Sequence, residues 1–312
     1  PAMRSPLLRK GGLFLALSLL FATLLPAPTQ ALSNFKVAPS TVWGHTYAGK
    51  AVGNPTTTPP KVFNLEAKSK FVVNYKNFPD WAKKDFQSAV DIWAANFAST
   101  APVTIDASWG RAPSWGVLGS ARPGNYYSGF DGAPDQSLWY PSALANALAG
   151  KDLEPNNPDM VIQINSLANW NTRNDGTPSA TEYDLPSVFL HEMAHGLGFL
   201  STDSYDSFFG YGTIEQPTPY AAYAQLPDGR RLSDLPSPSI ELGKALTSKL
   251  VWSGQFGNAA NGGEKIVLYT PARYEDGSSV SHIDEETYKD LGANSIMTPN
   301  LDAGEVFREP GS

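Results

Sequence analysis

The sequence predicts an α+β fold, because strand patterns and amphipathic helix patterns follow one another along it. Residues 71–75, FVVNY, form a β-branched and aromatic run that is typical of a strand. Residues 79–99 then place apolar side chains at helical spacing, which indicates an amphipathic helix. Residues 103–109, VTIDASW, alternate apolar and polar side chains as a half-buried strand does. Strand, helix and strand therefore open the predicted domain.

The middle of the chain is predicted to be loop-rich before regular structure returns. Residues 110–158 contain many glycines and prolines, and the next clear strand is DMVIQINS at residues 159–166. A helix should follow this strand. Asp184 is a suitable N-cap, and Gly196 or Gly198 can end the helix in the left-handed conformation that glycine tolerates best.

The first 31 residues have the pattern of a secretory signal peptide. Three basic side chains precede an apolar run over residues 13–25, and a stretch of small residues follows and ends at Ala31. The apolar run is too short to cross a bilayer, since a membrane-spanning helix needs about 20 residues. We therefore expect cleavage after Ala31 and a secreted, extracellular mature chain.

Composition divides the remaining chain into three parts. Residues 32–65 are rich in Pro, Thr and Gly and are predicted to be a linker or a pro-segment, with ordered chain beginning near Lys70. Residues 66–198 form a predicted N-terminal subdomain that ends with the second helix. Residues 199–312 form a predicted C-terminal subdomain, and a long insertion rich in Ser, Asp, Pro and Tyr opens it.

Charge and cysteine content exclude several kinds of partner. The chain has 23 basic and 30 acidic side chains, and loss of the signal peptide leaves 20 basic against 30 acidic. Nucleic acid is not an expected partner, because phosphate binding depends on clustered Lys and Arg. No later segment has the length and apolar content of a membrane span, so no membrane partner is expected after signal cleavage. There is no cysteine, so any metal must be held by His, Asp or Glu.

The segment HEMAHGLGF places two histidines four positions apart on the second predicted helix. Side chains at this spacing lie on one face of a helix, so His191 and His195 can bind one metal ion. Glu192 adjoins the first ligand, where its carboxylate can reach a metal-bound water without binding the metal. This arrangement is typical of a metal-assisted hydrolase in which Glu192 is the general base.

The third ligand is not set by the helix. A catalytic zinc usually takes three protein ligands, but the residue that the following turn brings round is Ser201, a poor zinc ligand. His45 falls in the predicted linker, which leaves His282 as the favoured third ligand. One alternative is a protease in which Asp203 or Asp206 is the third ligand. Another is a non-catalytic secreted module for binding or adhesion, whose histidines hold a structural metal or none.

HEMAHGLGF resembles the zinc-binding helix of leishmanolysin-like metzincin proteases, in which a long insertion displaces the third histidine downstream. The later segments SHIDEE and SIMTP resemble the second block of that family, a histidine ligand followed by a methionine in a tight turn. The resemblance covers residues 66–310 in patches. It implies a zincin-like catalytic domain with a twisted mixed sheet, an active-site helix and a loop-rich C-terminal subdomain.

The same resemblance implies an endopeptidase that binds Zn²⁺ and acts on protein or peptide substrates. The implied roles are zinc ligands for His191, His195 and His282, general base for Glu192, the turn for Gly198 and the Met-turn for Met297. Residues 159–166 would be the edge strand above the cleft, to which an extended peptide adds through main-chain hydrogen bonds. Latency through a pro-segment cysteine, as in some members of that family, is excluded because the chain has no cysteine.

Overall fold

The computed structural model describes most of the chain after the predicted signal peptide. The described residues are 35–52, 66–112, 114–289 and 291–310. The predicted signal peptide, residues 1–31, lies outside them, as does the Pro- and Thr-rich stretch at residues 53–61. Asn34–Ser312 clusters as a single unit. Within the described part of the chain, no helix is long and apolar enough to span a membrane.

The described residues form fourteen strands and six α-helices. The strands are β1 (Lys36–Pro39), β2 (Gly44–Val52), β3 (Phe71–Lys76), β4 (Val103–Gly110), β5 (Val117–Pro123), β6 (Asn125–Ser128), β7 (Tyr140–Pro141), β8 (Met160–Asn165), β9 (Asp203–Asp206), β10 (Tyr211–Ile214), β11 (Ala224–Gln225), β12 (Val251–Trp252), β13 (Ile266–Val267) and β14 (Asn300–Ala303). The helices are α1 (Asp80–Asn96), α2 (Ser142–Ala149), α3 (Leu185–Leu197), α4 (Ile240–Leu246), α5 (Gln255–Ala260) and α6 (Glu285–Tyr288).

The largest sheet has six strands in the order β14, β2, β5, β8, β4, β3. β3, β4 and β8 are parallel to one another. β5 is antiparallel to both β8 and β2, whereas β14 is parallel to β2. The mixed sheet and its packed helices confirm the predicted α+β class.

The main core lies between this sheet and helices α1 and α3. Every second side chain of β4 and β8 is buried, including Ile105 and Ile162, which are fully enclosed. On the helix side the rings of Phe86 in α1 and Phe189 in α3 lie 4.3 Å apart, centroid to centroid. Burial of aromatic side chains of this size is a major source of stability. Helix α3 is therefore held against the sheet along its length.

The insertion after α3 has a hydrophobic core of its own. The apolar residues in this cluster are Tyr220, Ala224, Leu232, Leu235, Leu242, Ala245, Leu246, Leu250, Leu268 and Val280. Its strands are short and pair in two small sheets, β9 with β10 and β11, β12 and β13 with one another. The insertion is thus a packed body, and Tyr220 ties its core to the chain just before His282 by donating to the carbonyl oxygen of Val280 over 2.8 Å.

The prediction that ordered chain begins near Lys70, after a linker, is wrong for residues 36–52. β1 pairs with β6, and β2 lies inside the large sheet between β5 and β14. The glycines of β2 make its composition loop-like, but they meet a packing need. A Cβ at Gly49 would lie 1.7 Å from Asp302 Oδ1, so only glycine fits there without displacement. That this segment is a pro-segment stays a prediction.

The prediction that residues 159–166 form the edge strand is also wrong. β8 is central, because β4 pairs with one of its edges and β5 with the other. β5 arises from the segment predicted to be loop-rich, where VLGSARP offers small side chains in place of a β-branched run. The position of a strand within a sheet depends on which other strands form, and the local pattern of β8 does not contain that information.

Candidate metal centre

Helix α3 is fixed at both ends by the residues predicted for those positions. The side chain of Asp184, the N-cap, accepts a hydrogen bond from the amide of Ser187 over 3.0 Å, and Pro186 lies in the first turn. Gly198 ends the helix with a φ of 124°, which side chains with a Cβ rarely adopt. A Cβ on Gly198 would also lie 2.7 Å from the ring of Pro141.

The three predicted ligands meet at their Nε2 atoms. The Nε2 atoms of His191 and His195 lie 2.9 Å apart, and each lies 3.1 Å from the Nε2 atom of His282. All three side chains are buried. Among the described residues they form a group whose geometry can hold a metal ion. The structure therefore brings the helical pair together with the distant histidine favoured from the sequence.

The second nitrogen of each ring contacts a backbone carbonyl oxygen. The pairs are His191 Nδ1 with Ile296 at 2.6 Å, His195 Nδ1 with Phe199 at 2.7 Å and His282 Nδ1 with Ser278 at 2.9 Å. A carbonyl oxygen can only accept, so each Nδ1 carries the proton and each Nε2 presents a lone pair to the centre. Three lone pairs that face one another repel, and a cation between them removes the repulsion. Backbone anchors of this kind also orient metal-binding imidazoles.

Burial keeps these histidines in the form that binds metals. It lowers the pKa of His191, His195 and His282 well below the ordinary value of 6.5, and the neighbouring imidazoles lower it further. Their hydrogen bonds to backbone carbonyls act in the opposite direction but do not outweigh burial. The rings are therefore neutral at pH 7, as metal ligation requires.

The donor set and spacing fit a small divalent metal ion. Imidazole nitrogens that bind one tetrahedral ion at about 2.0–2.1 Å are roughly 3.3 Å apart. The observed separations of 2.9–3.1 Å differ from this by a few tenths of an ångström. Imidazole ligands suit zinc, copper, iron and nickel. The three histidines can thus hold an ion of this class.

Glu192 lies next to the histidines and is completely buried. Its Oε1 atom accepts two hydrogen bonds from Thr46, from the hydroxyl over 2.6 Å and from the amide over 3.1 Å. Its Oε2 atom has no hydrogen-bond partner among the described residues. Burial raises the pKa of Glu192 to about 8, although the bonds from Thr46 act against this rise. Thr46 thus binds one oxygen of the carboxyl group, and the other oxygen has no partner among the described residues.

Met297 lies in a turn that links two of the ligands. The residue before it, Ile296, accepts from the His191 ring, and the Met297 carbonyl oxygen accepts from the amide of Ile283 over 3.0 Å. The Met297 side chain is buried in the main core. The segment predicted as the Met-turn therefore connects helix α3 to the chain that carries His282.

The sequence alternatives for the third ligand lie outside the histidine group. Ser201 donates to Asp203 Oδ2 over 2.5 Å, and its amide donates to Ser281 Oγ over 3.0 Å, next to the third histidine. Burial raises the pKa of Asp203 to about 6. Asp206 Oδ1 accepts from the amide of Phe208 in an exposed turn. Ser201 therefore anchors the start of the insertion to its end.

Strand β2 contributes site residues that the sequence interpretation missed. Thr46 contacts Glu192, and Gly44 packs so closely on the His195 ring that a Cβ on Gly44 would lie 2.4 Å from it. The sequence signal for a strand here was the mixture of glycines with β-branched and aromatic residues in GHTYAGKAV. Composition alone assigned this segment to a linker. Glycines in a strand often mark a close approach of the backbone to another group, and a local sequence pattern does not reveal that approach.

A comparison with protein-family models matches residues 62–215 to a family described as SPBPB7E8-like. The matched region includes Glu192 and the helical histidine pair but ends before His282. No curated protein matches the chain. No solved structure matches it either.

Proposed function

We propose that the chain is a secreted zinc-dependent endopeptidase with a zincin-like catalytic domain of the leishmanolysin-like metzincin type. The observation that carries this proposal is the convergence of the Nε2 atoms of His191, His195 and His282 beside the buried carboxyl group of Glu192. The order of the parts along the chain supports it as well. A helical histidine pair, a displaced third histidine and a methionine turn follow one another as the resemblance implies.

The ligand set supports zinc as the metal. Catalytic zinc sites use three protein ligands and keep a further position for water or substrate, whereas structural zinc sites are closed by four protein ligands. The group among the described residues has three members. When bound, zinc would lower the pKa of a water molecule and polarise the carbonyl group of the peptide bond that is cut.

Glu192 is the proposed general base. Its Oε2 atom is buried without a hydrogen-bond partner among the described residues, which is costly in a folded protein. A cation bound beside it would favour the ionised form of the carboxyl group, in which this oxygen can accept a proton. Glu192 would take a proton from the attacking water and pass a proton to the leaving amine. Thr46 holds the other oxygen of the carboxyl group and so fixes its orientation.

The remaining parts of the proposal rest on the sequence. The basic start, apolar middle and small-residue end of residues 1–31 support secretion. The acidic balance argues against nucleic acid as a substrate. Protein and peptide chains are the substrate class that the leishmanolysin-like resemblance implies.

Proteolysis assays on variants test the proposal. The zinc-loaded protein should hydrolyse casein at a low but measurable rate, because the site is buried, and lose this activity on chelation. Glu192→Gln should keep its zinc and lower the rate by at least about 100-fold, because proton transfer by a positioned side chain contributes that much. Glu264→Gln, which changes an exposed carboxylate, is the matched control and should match the parent. A Glu192→Gln protein as active as the parent would end the enzyme proposal.

A further inference from the structure

The centre is closed to solvent by strand β2. His195, His282 and Glu192 are completely buried, and His191 is 2% exposed. Gly44 lies on the His195 ring, and Thr46 hydrogen-bonds to Glu192 through both its amide and its hydroxyl. A protein substrate cannot reach groups that are covered in this way. The site can therefore work on a substrate only after β2 moves.

β2 lies between two strands and bonds to both of them. It is antiparallel to β5, and the amide of Ala48 donates to the carbonyl oxygen of Gly116 beside that strand over 2.7 Å. It is parallel to β14, and the amide of Tyr47 donates to the carbonyl oxygen of Pro299 over 2.9 Å. An extended peptide that binds by strand addition makes the same kind of main-chain bonds. β2 is thus held as a bound peptide would be.

The backbone of β2 contacts one of the proposed reacting groups. The amide nitrogen of Thr46 lies 3.1 Å from Glu192 Oε1. The backbone of β2 therefore lies against the carboxyl group that is proposed to move protons.

Four of the other five strands of the sheet pair without β2. β3 pairs with β4, β4 with β8 and β8 with β5, so four strands remain bonded in order if β2 leaves. Its departure would free one edge of β5 and leave β14 without its partner strand in this sheet, with the metal centre below the gap. A free sheet edge accepts an extended chain. The gap would then take an extended segment of another polypeptide in the direction of β2.

We propose that β2 is an inhibitory strand that occupies the substrate groove of the enzyme between β5 and β14, so that the chain is latent until β2 is displaced. This inference rests on the proposed function, because the groove leads to the proposed catalytic groups. The occupant is a segment of the same chain, Gly44–Val52. Such a device needs no cysteine, and the chain has none.

A glycine substitution in the full-length chain tests the proposal. Gly44→Ala would place a Cβ 2.4 Å from the His195 ring and should force β2 away. Gly110→Ala is the matched control, since a Cβ there meets nothing within 4 Å. We expect Gly44→Ala to raise hydrogen exchange at the Thr46 and Tyr47 amides at least tenfold and casein hydrolysis at least tenfold. Gly110→Ala should leave both at the parental level.

A synthetic peptide that copies residues 41–52 gives a second readout. With a fluorescent label, the peptide should bind to the zinc-loaded Gly44→Ala protein. Its affinity for the parent should be at least tenfold lower. Unlabelled, it should suppress casein hydrolysis by Gly44→Ala. If Gly44→Ala does not fold, Thr46→Val replaces it, because this change removes the hydroxyl bond to Glu192 at nearly constant side-chain volume.

The outcomes separate this proposal from the proposed function. Faster exchange and peptide binding in Gly44→Ala with no casein hydrolysis by any form would leave the strand proposal standing and would contradict the endopeptidase. A parent that already hydrolyses casein as fast as Gly44→Ala, with β2 open in the variant, would overturn the strand proposal. So would variants that fold but exchange the β2 amides no faster than Gly110→Ala.

Discussion

His191 donates from Nδ1 to the carbonyl oxygen of Ile296 over 2.6 Å. This bond joins helix α3 to the turn at Met297, and it selects the tautomer that points the Nε2 lone pair of His191 at the other two imidazoles. The neighbouring bond from the amide of Ile283 to the carbonyl oxygen of Met297 ties the same turn to the third ligand. The turn thus fixes two ligands through its backbone, while its side chain packs in the core.

Because the turn makes these bonds through its backbone and not through the Met297 side chain, Met297→Leu should have a mild effect on stability. The backbone bonds persist and the volume is nearly conserved, so the free energy of unfolding should fall by less than about 1.5 kcal/mol, with zinc content unchanged. Met297→Ala should lower it by about 2–5 kcal/mol, because it opens a cavity in a buried site. Urea titration and metal analysis of the two proteins measure both effects. Loss of zinc from Met297→Leu would show that the side chain itself supports the metal.

Arg308 should stabilise the start of helix α3. Two of its nitrogens bond to the two oxygens of Asp184, at 2.5 and 2.9 Å, and the Asp184 side chain is 2% exposed. Arg308→Met leaves that buried carboxylate without its cation, which should lower the free energy of unfolding by about 3 kcal/mol. Arg230→Met breaks an exposed pair and should change it by less than about 1 kcal/mol. Equal effects of Arg308→Met and Arg230→Met on the free energy of unfolding, measured by urea titration, would show that Arg308 does not stabilise the start of helix α3.

Asp85 should make the fold less stable as pH rises. Burial raises its pKa to about 6 from 3.8, although the hydrogen bond from Asn174 acts in the opposite direction. The folded state therefore holds the proton more tightly than the unfolded state, and the free energy of unfolding falls between about pH 4 and pH 6. Each pKa unit corresponds to about 1.4 kcal/mol, so the Asp85 contribution falls by about 2–3 kcal/mol across this window.

Asp85→Asn should remove that part of the pH dependence. The difference in unfolding free energy between variant and parent should grow in favour of the variant from pH 4 to pH 6 and then stay level. Asp91→Asn, an exposed change on the same helix, is the control for the substitution itself. Urea titrations at a series of pH values provide the measurement. A constant difference for Asp85→Asn would show that this carboxyl group titrates alike in both states.

Local patterns were sufficient to predict helix α3 and the histidine pair on one of its faces. Asp184 and Gly198 bound α3 as expected, because capping depends on residue types within one turn. The spacing of His191 and His195 sets their relation on the helix. These features depend on short stretches of chain or on scarce residue types, which a sequence displays directly. His282 was favoured partly by placing His45 in a linker, and the structure instead places His45 in strand β2.

The cover over the site could not be predicted in the same way. β2 and β5 contain glycine and other small residues that local patterns assign to loops, whereas their pairing depends on partners more than sixty positions away. Glycine at position 44 allows the backbone to approach the His195 ring closely. This reason for a glycine can be recognised only once the folded positions of both residues are known. For the same reason β8 was predicted at an edge although β5 covers it.

The most direct test of the central claim is the zinc content of variants after dialysis, measured by mass spectrometry of the metal. The parent, His45→Ala and Asp203→Asn should each hold about one zinc per chain, because none of these changes removes a proposed ligand. His282→Ala should retain less than about a tenth of this zinc, since three protein ligands are needed. A His282→Ala protein that folds and keeps its full zinc would contradict the three-histidine centre.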